Sequence, residues 1–253
     1  MFYLSKEQMS DHPPVRQHKI TPPDWPCAME TLALQTRHFA LREYYKSGIV
    51  SPETPLCDVP FLAMDFETTG LNTQHDDIVS IGLIPMSLSR IRLQESQHWI
   101  LNPRADLRKE SVVIHGITHS KIISAPDLNE VIQQLLALMA GKVMVVHHRS
   151  IEQNFLDIAL KRRIGEGIIF PCIDTLYLEA LQLSAPDSTS LMKKLFRRKP
   201  KISVRLPECR ERYHLPHYPA HNALTDAQAC AELFQAQVAH HFTPETAIGT
   251  LWC

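Results

Sequence analysis

The order of the element types constrains this chain most. Three segments patterned as short strands open its main body, and units of strand followed by helix come after them. Residues 61–66 form an apolar run that ends on an acidic pair, residues 77–85 a second run, and residues 97–101 a third, closed by Asn102-Pro103. The turn between the first two holds Gly70-Leu71-Asn72 and His75-Asp76-Asp77, and hairpin-type connections imply an antiparallel meander. Residues 128–139 repeat apolar side chains at helical spacing and stop before Gly141. A strand over 142–147 leads to a helix from Ile151 to about Arg163. A fifth strand over 168–173 leads to a helix from Thr175 to about Leu183, and a last helix runs from about Thr225 to Ala239. A meander followed by strand–helix units predicts an α/β domain on a mixed five-stranded sheet.

The flanks read differently. His12-Pro13-Pro14 and the run Thr21-Pro22-Pro23-Asp24-Trp25-Pro26 are rich in breakers. Between them and Pro52, residues 28–46 read as one helix, with Met29, Leu32, Leu34, Phe39 and Leu41 only loosely at helical spacing. We therefore expect an N-terminal helical extension over 1–58, a main domain over 59–242 and a C-terminal tail over 243–253. The extension would pack on the domain or serve as an arm for a protein partner. The formal net charge of −1 supplies no global basic field, so attraction to phosphates must be local or carried by bound cations. One basic segment, Lys193 to Lys201, could cradle a longer strand or be a solvated loop. The six cysteines (Cys27, Cys57, Cys172, Cys209, Cys230 and Cys253) lie far apart with no CxxC pair, which fits reduced thiols and a cytoplasmic location. No secretory leader is evident, and no apolar run reaches the roughly 18 residues of a membrane span, so no membrane association is expected.

Chemistry concentrates in three separated segments that together hold four acids and one histidine. Asp65 and Glu67 are two apart at a strand end, so both carboxylates share a face while Phe66 points the other way, toward the core. Two such charges repel unless a cation lies between them or one is protonated, and hard oxygen ligands favour Mg²⁺ or Mn²⁺. A plain surface Asp-x-Glu pair is the bland alternative. Thr68-Thr69-Gly70 adds a tight turn with free amides and hydroxyls. Glu152 opens the helix after the fourth strand. Phe155, Leu156 and Ala159 place it at the edge of that helix's buried stripe, although a first-turn acid also needs no metal. Asp226 stands near the start of the last helix, where the helix dipole favours an acid in any case. His221 lies five residues earlier, and an imidazole beside a metal cluster can take a proton from attacking water.

The three segments resemble the exonuclease motifs of the DnaQ-like superfamily in its histidine-bearing (DEDDh) branch, which includes proofreading subunits of bacterial replicative polymerases and oligoribonucleases. Asp65-Phe66-Glu67-Thr68-Thr69-Gly70 matches the first motif fully, and His221-Asn222-Ala223-Leu224-Thr225-Asp226-Ala227 the third. The second departs from its pattern, with Glu152 where the family has Asp, a side chain one methylene longer. Residues 113–117 and 173–176 also resemble family segments. The resemblance covers roughly residues 60–240. It implies a ribonuclease-H-like three-layer fold and a metal-dependent 3′–5′ exonuclease that releases nucleoside monophosphates from 3′ ends, here of single-stranded DNA. An RNA or short-oligonucleotide exonuclease, or a non-catalytic nucleic-acid-binding module, is the alternative. It further implies two divalent cations, Mg²⁺ or Mn²⁺, about 3.5–4 Å apart, held by Asp65, Glu67, Glu152 and Asp226, with His221 as the base. Glu67 and the turn at Thr68 and Thr69 would hold the terminal 3′-hydroxyl, and Leu71, His115 and Phe155 would pack against terminal bases. A polymerase or other replication or repair protein is the expected partner of the N-terminal region.

Overall fold

A computed structural model describes residues 23–107, 109–184 and 202–253, so the basic segment at 193–201 and the breaker-rich stretch before Pro23 lie outside the described residues. Two helices, α1 (Trp25–Gln35) and α2 (Phe39–Lys46), precede a sheet built from β1 (Phe61–Thr68), β2 (Ile78–Ser87), β3 (Arg90–Ile91), β4 (Gln97–Ile100), β5 (Val143–Val146) and β6 (Cys172–Asp174). The other helices are α3 (Lys109–His115), α4 (His119–Ile123), α5 (Leu128–Met139), α6 (Arg149–Ile164), α7 (Thr175–Ser184), α8 (Leu206–Arg212) and α9 (Ala223–His241).

The strand order is β3-β2-β1-β5-β6, with β4 pairing β2 on the same side as β3 but at the other end. β2 runs antiparallel to β1, β3 and β4, whereas β1–β5 and β5–β6 are parallel. The sheet is mixed, as the element order requires. It has six strands rather than five, because a two-residue pairing such as β3 carries no alternation to read.

Alternation along β1 divides the core into two layers. Leu62, Met64 and Phe66 face a cluster with Ile81, Leu83, Met144, Val146, α5 and α6. Phe61 and Ala63 face the opposite cluster with Ile84, Met86, Val143, Val145 and the apolar stripe of α9. Phe61 packs edge-on against Phe234 of α9 at 5.1 Å between ring centroids. Helices on both faces of one sheet give the three-layer architecture. An ion-pair network staples one end. Arg163 at the end of α6 bonds Asp77 (2.8 Å), just before β2, and Asp127 (3.0 Å), which caps α5 in a capping box with Glu130.

Both flanks pack on the domain. Met29, Leu41, Tyr44 and Tyr45 of the N-terminal helices are buried in the first cluster, while Ile248, Leu251 and Trp252 are buried in the second. The spacing predicts one helix over 28–46, but the chain forms two. It turns at Thr36–His38, where the amides of Arg37 and His38 donate to the Glu166 carboxylate, a partner 128 or more residues away. The first helix starts earlier than expected, with Asp24 as its cap and Pro26 in the first turn, where a missing N–H is harmless. The fifth strand of the sequence reading, 168–173, is confined to Cys172–Asp174. The Ile168 amide donates to Asp157 and the Ile169 amide to the Tyr45 hydroxyl, so neither joins a ladder.

Candidate active site

The carboxyl ends of the parallel strands β1, β5 and β6 lie at one edge of the sheet, and the acidic residues gather there. β1 pairs with β5 only from Phe61 to Ala63. Asp65 and Glu67 therefore emerge where β1 keeps its antiparallel neighbour but has left its parallel one, the kind of crevice in which α/β sheets place ligands. Their side chains share the face of Phe61 and Ala63, toward α9, while Phe66 turns to the other layer at 6% exposure. A register shift between Glu67 and Thr68 marks a bulge at the second carboxylate. Bulges re-aim side chains beside functional sites.

α9 brings Asp226 to the same point. Asp65 pairs with Gly82 across the ladder, and a side chain on Gly82 would point toward the same face. A Cβ at Gly82 would lie 2.3 Å from the backbone carbon and oxygen of Ala223, so the first turn of α9 rests directly on a bare patch of sheet. Asn222 caps the helix by accepting from the Thr225 amide. Asp226 Oδ2 accepts from the amides of His221 (2.8 Å) and Asn222 (3.2 Å). These bonds hold His221 in the left-handed region, at φ 71°, which a β-carbon disfavours. The imidazole Nε2 is shielded from solvent.

Asp65, Glu67 and Asp226 can each offer a carboxylate oxygen within 4.8 Å of the others'. Glu152 stands outside that tight trio but reaches the same neighbourhood, since its charge is one cause of the raised Asp65 pKa. It lies in the first turn of α6, 2% exposed, with no hydrogen-bond partner for Oε2. The turn into α6 is set by Asp174 at the end of β6. Asp174 accepts from the amides of His148 and Arg149 and also from Leu176, and thus caps α6 and α7 together. His148, with φ 89°, occupies the cap position of α6 without a side-chain cap. His147 behaves as a strand-end hydrogen bonder, with Nδ1 at 2.8 Å from the Thr175 hydroxyl and Nε2 at 3.0 Å from the Val204 carbonyl. Burial lowers its pKa to about 4, so it remains neutral.

The electrostatics fit a cation site. Burial, followed by the charges of Asp226, Glu152 and Glu67, raises the Asp65 carboxyl well above the usual range. Burial and then Asp226 push Glu67 up to about 8. Burial raises Asp226 to about 6 and lifts Glu152 well above its ordinary value. Four carboxyl groups whose charged forms burial disfavours, one of them with an orphaned oxygen, match hard divalent cations, which take oxygen ligands and supply the compensating charge.

The remaining candidates divide. Thr68 Oγ1 donates to the Gly70 carbonyl at 2.7 Å and tightens the turn. Thr69 is fully buried. Its hydroxyl donates to Asp76 and accepts from the Asp77 amide, which stiffens the turn from behind. Leu71 is 46% exposed at the tip of that turn, whereas His115 is buried with Nδ1 accepting from the Ile117 amide. The ring of Phe155 is only 3% exposed and lies inside the first core layer, where it supports the helix beneath Glu152. Gly82 supports the site without any local signal in the sequence, whereas Asp174, directly before a helix, lies in the segment 173–176 already noted and has a readable cap pattern.

A three-layer fold on a mixed sheet, with acids converging at the carboxyl ends of its parallel strands, defines the ribonuclease-H-like class of nuclease folds. A sequence model of the family described as Exonuclease (RNase T) matches residues 62–234, and this chain belongs to that family. The chain is 31% identical over 186 residues to a DNA polymerase III subunit epsilon-like protein of Rhodobacter capsulatus, covering 72% of this chain and 24% of that protein. It is 28% identical over 202 residues to a PolC-type DNA polymerase III of Thermotoga maritima, covering 78% of this chain and 14% of the polymerase. It thus spans only a small part of those two relatives. Among solved structures, the nuclease domain of 3′hExo, a DEDDh family member bound to rAMP, shares the fold at TM-score 0.57 and 14% identity, covering 72% of this chain and 92% of that domain. E. coli Exonuclease I in complex with a dT13 oligonucleotide does so at TM-score 0.56 and 16% identity, covering 72% and 41%.

Proposed function

We propose that this chain is a metal-dependent 3′–5′ exonuclease that removes nucleoside monophosphates from single-stranded DNA ends. One observation carries the reading. Asp65, Glu67 and Asp226 meet within 4.8 Å, with buried Glu152 adding its charge to Asp65; burial raises all four carboxyl groups, and the neighbouring acids raise Asp65 and Glu67 further. These residues would hold two divalent cations, Mg²⁺ or Mn²⁺. Such ions activate water and neutralise charge on the reacting phosphate. His221 accepts the proton of the attacking water. Glu67 and the amides of the Thr68 turn hold the terminal 3′-hydroxyl, and Thr69 acts by keeping that turn rigid. Leu71, exposed at the tip of that turn, packs against the terminal nucleotide. DNA is favoured over RNA because the sequence relatives carry DNA polymerase names, whereas the likeness to 3′hExo is one of fold alone. Those names also support a polymerase or repair protein as the partner that delivers the end.

The test is a time course with 5′-labelled and 3′-labelled single strands, as DNA and as RNA, with Mg²⁺, Mn²⁺ or EDTA. Stepwise shortening of the 5′-labelled DNA, with early release of label from the 3′-labelled strand, supports the reading. Cleavage in EDTA, or binding without cleavage under every condition, refutes it. Faster shortening of RNA assigns the alternative substrate.

A further inference from the structure

The connection between α8 and α9 carries His221, yet residues 213–222 contain no helix or strand. Such a segment holds a side chain in place only if something anchors it, because each unrestrained residue retains its conformational entropy. Asp226 supplies the downstream anchor through the amides of His221 and Asn222. The upstream anchor is built on Arg210, a guanidinium only 4% exposed.

Arg210 spans the gap between loop and helix. Its Nη1 donates to the Ala229 carbonyl of α9 at 2.6 Å, and its Nη2 donates to the loop carbonyl of Pro216 at 2.8 Å and to Glu232 Oε2 at 2.7 Å. The ring of Tyr218 lies against it, 4.7 Å from centroid to guanidinium carbon. The Tyr218 hydroxyl donates to Glu232 Oε1 at 2.8 Å, and Gln228 donates to both that hydroxyl and Glu232. The loop is therefore fixed to α9 at Pro216 and Tyr218, three residues before His221. Ala229 sits one turn beyond Asp226, and Arg210, Tyr218, Ala220 and Asp226 line one small cavity. A buried arginine needs only its carboxylate to offset its charge. The extra bonds across to Pro216 and Ala229, together with the stacked ring, fix the loop's position against the helix that bears a metal ligand.

We propose that Arg210, acting with Tyr218 and Glu232, is a positioning residue for hydrolysis that clamps the His221 loop to α9 and so holds the imidazole at its working distance from the carboxylate group. The inference rests on the function proposed above and adds to it a residue outside the three motifs. Lysine cannot replace the clamp, since a single ammonium does not reproduce the planar fork or its stacking.

The experiment compares Arg210→Lys, Tyr218→Phe, His221→Ala and the double variant Arg210→Lys/His221→Ala in the full chain, on a 5′-labelled single-stranded DNA with Mg²⁺. Mn²⁺ affinity is measured in parallel by calorimetry. Arg210→Lys is expected to lower kcat roughly 10- to 100-fold, in line with the cost of an ångström-scale misplacement. The KM for DNA and the Mn²⁺ affinity should stay at parental values, and the double variant should be no slower than His221→Ala alone. Tyr218→Phe should show a smaller loss in kcat with the same unchanged constants, and it carries the comparison if Arg210→Lys loses its cooperative melting transition. Parental kcat in the folded variants, losses that multiply in the double variant, or a loss confined to KM or Mn²⁺ affinity overturns the clamp while leaving the exonuclease reading intact. Full activity of His221→Ala refutes the role given to His221, and the clamp with it.

Discussion

Replacing Glu67 with glutamine should stabilise the metal-free protein at neutral pH while destroying its activity. Glu67 is 3% exposed, and burial, then Asp226, lifts its pKa from 4.5 to about 8. An acid with a raised folded-state pKa binds more protons in the native state than in the unfolded one. Its contribution is most favourable below the unfolded value and is lost as pH rises toward the folded value. From 4.5 to pH 7 is two and a half units, which at about 1.4 kcal/mol each gives a penalty of up to about 3.5 kcal/mol. Glutamine keeps the shape and carries no charge, so the variant escapes that penalty. For a chain of this size, about 3.5 kcal/mol corresponds to a rise in Tm of roughly 7–14 °C. The assay is thermal unfolding of both proteins in EDTA from pH 4 to 8. The curves should coincide near pH 4 and separate as pH rises. Mn²⁺ should close the gap at pH 7 by stabilising the parent more than the variant, because a ligand that binds only the native state adds stability by mass action. A variant that melts lower than the parent at pH 7 in EDTA, or a difference independent of pH, would show that ionising buried Glu67 imposes no such cost.

Asp65→Ala and Asp226→Ala should each abolish turnover while leaving a cooperative melt, and parental cleavage rates in either would remove the metal-site assignment. Glu152→Asp should preserve or raise the Mg²⁺-dependent rate by restoring the shorter ligand, and a Glu152→Ala protein that cleaves as fast as the parent would show that Glu152 holds no ion. Gly82→Ala should displace the start of α9, since the new methyl would meet the Ala223 backbone at 2.3 Å. A destabilisation of about 1–3 kcal/mol is expected for such overpacking, with weakened Mn²⁺ binding by calorimetry. Unchanged affinity would show that the helix seat can move without disturbing the carboxylates. Arg163→Ala should cost about 3–5 kcal/mol in urea unfolding, because it leaves the 1%-exposed Asp77 as a buried charge without its partner. A loss under 1 kcal/mol would mean that water reaches that site.

Local residue patterns were enough to give the sheet and the identity of the acids. Alternation in β1 put Asp65 and Glu67 on one face and Phe66 in the core, because a strand's period of two leaves no other choice. The switch from meander to strand–helix units fixed the mixed sheet, and the buried stripe of α6 already turned Glu152 inward. Whatever depends on partners distant in the chain came only with packing. The break between α1 and α2 is set by Glu166, more than a hundred residues away. The double helix cap at Asp174, the seat for α9 on Gly82 and the Arg210 bridge each join elements whose separation in sequence carries no local signal. Phe155 shows the same limit: its place on the buried stripe of the helix was readable, but which core layer its ring joins came only with packing. Local patterns fix which way a side chain points, while packing fixes what it meets. In this protein the convergence of three carboxylates within 4.8 Å belongs to the second.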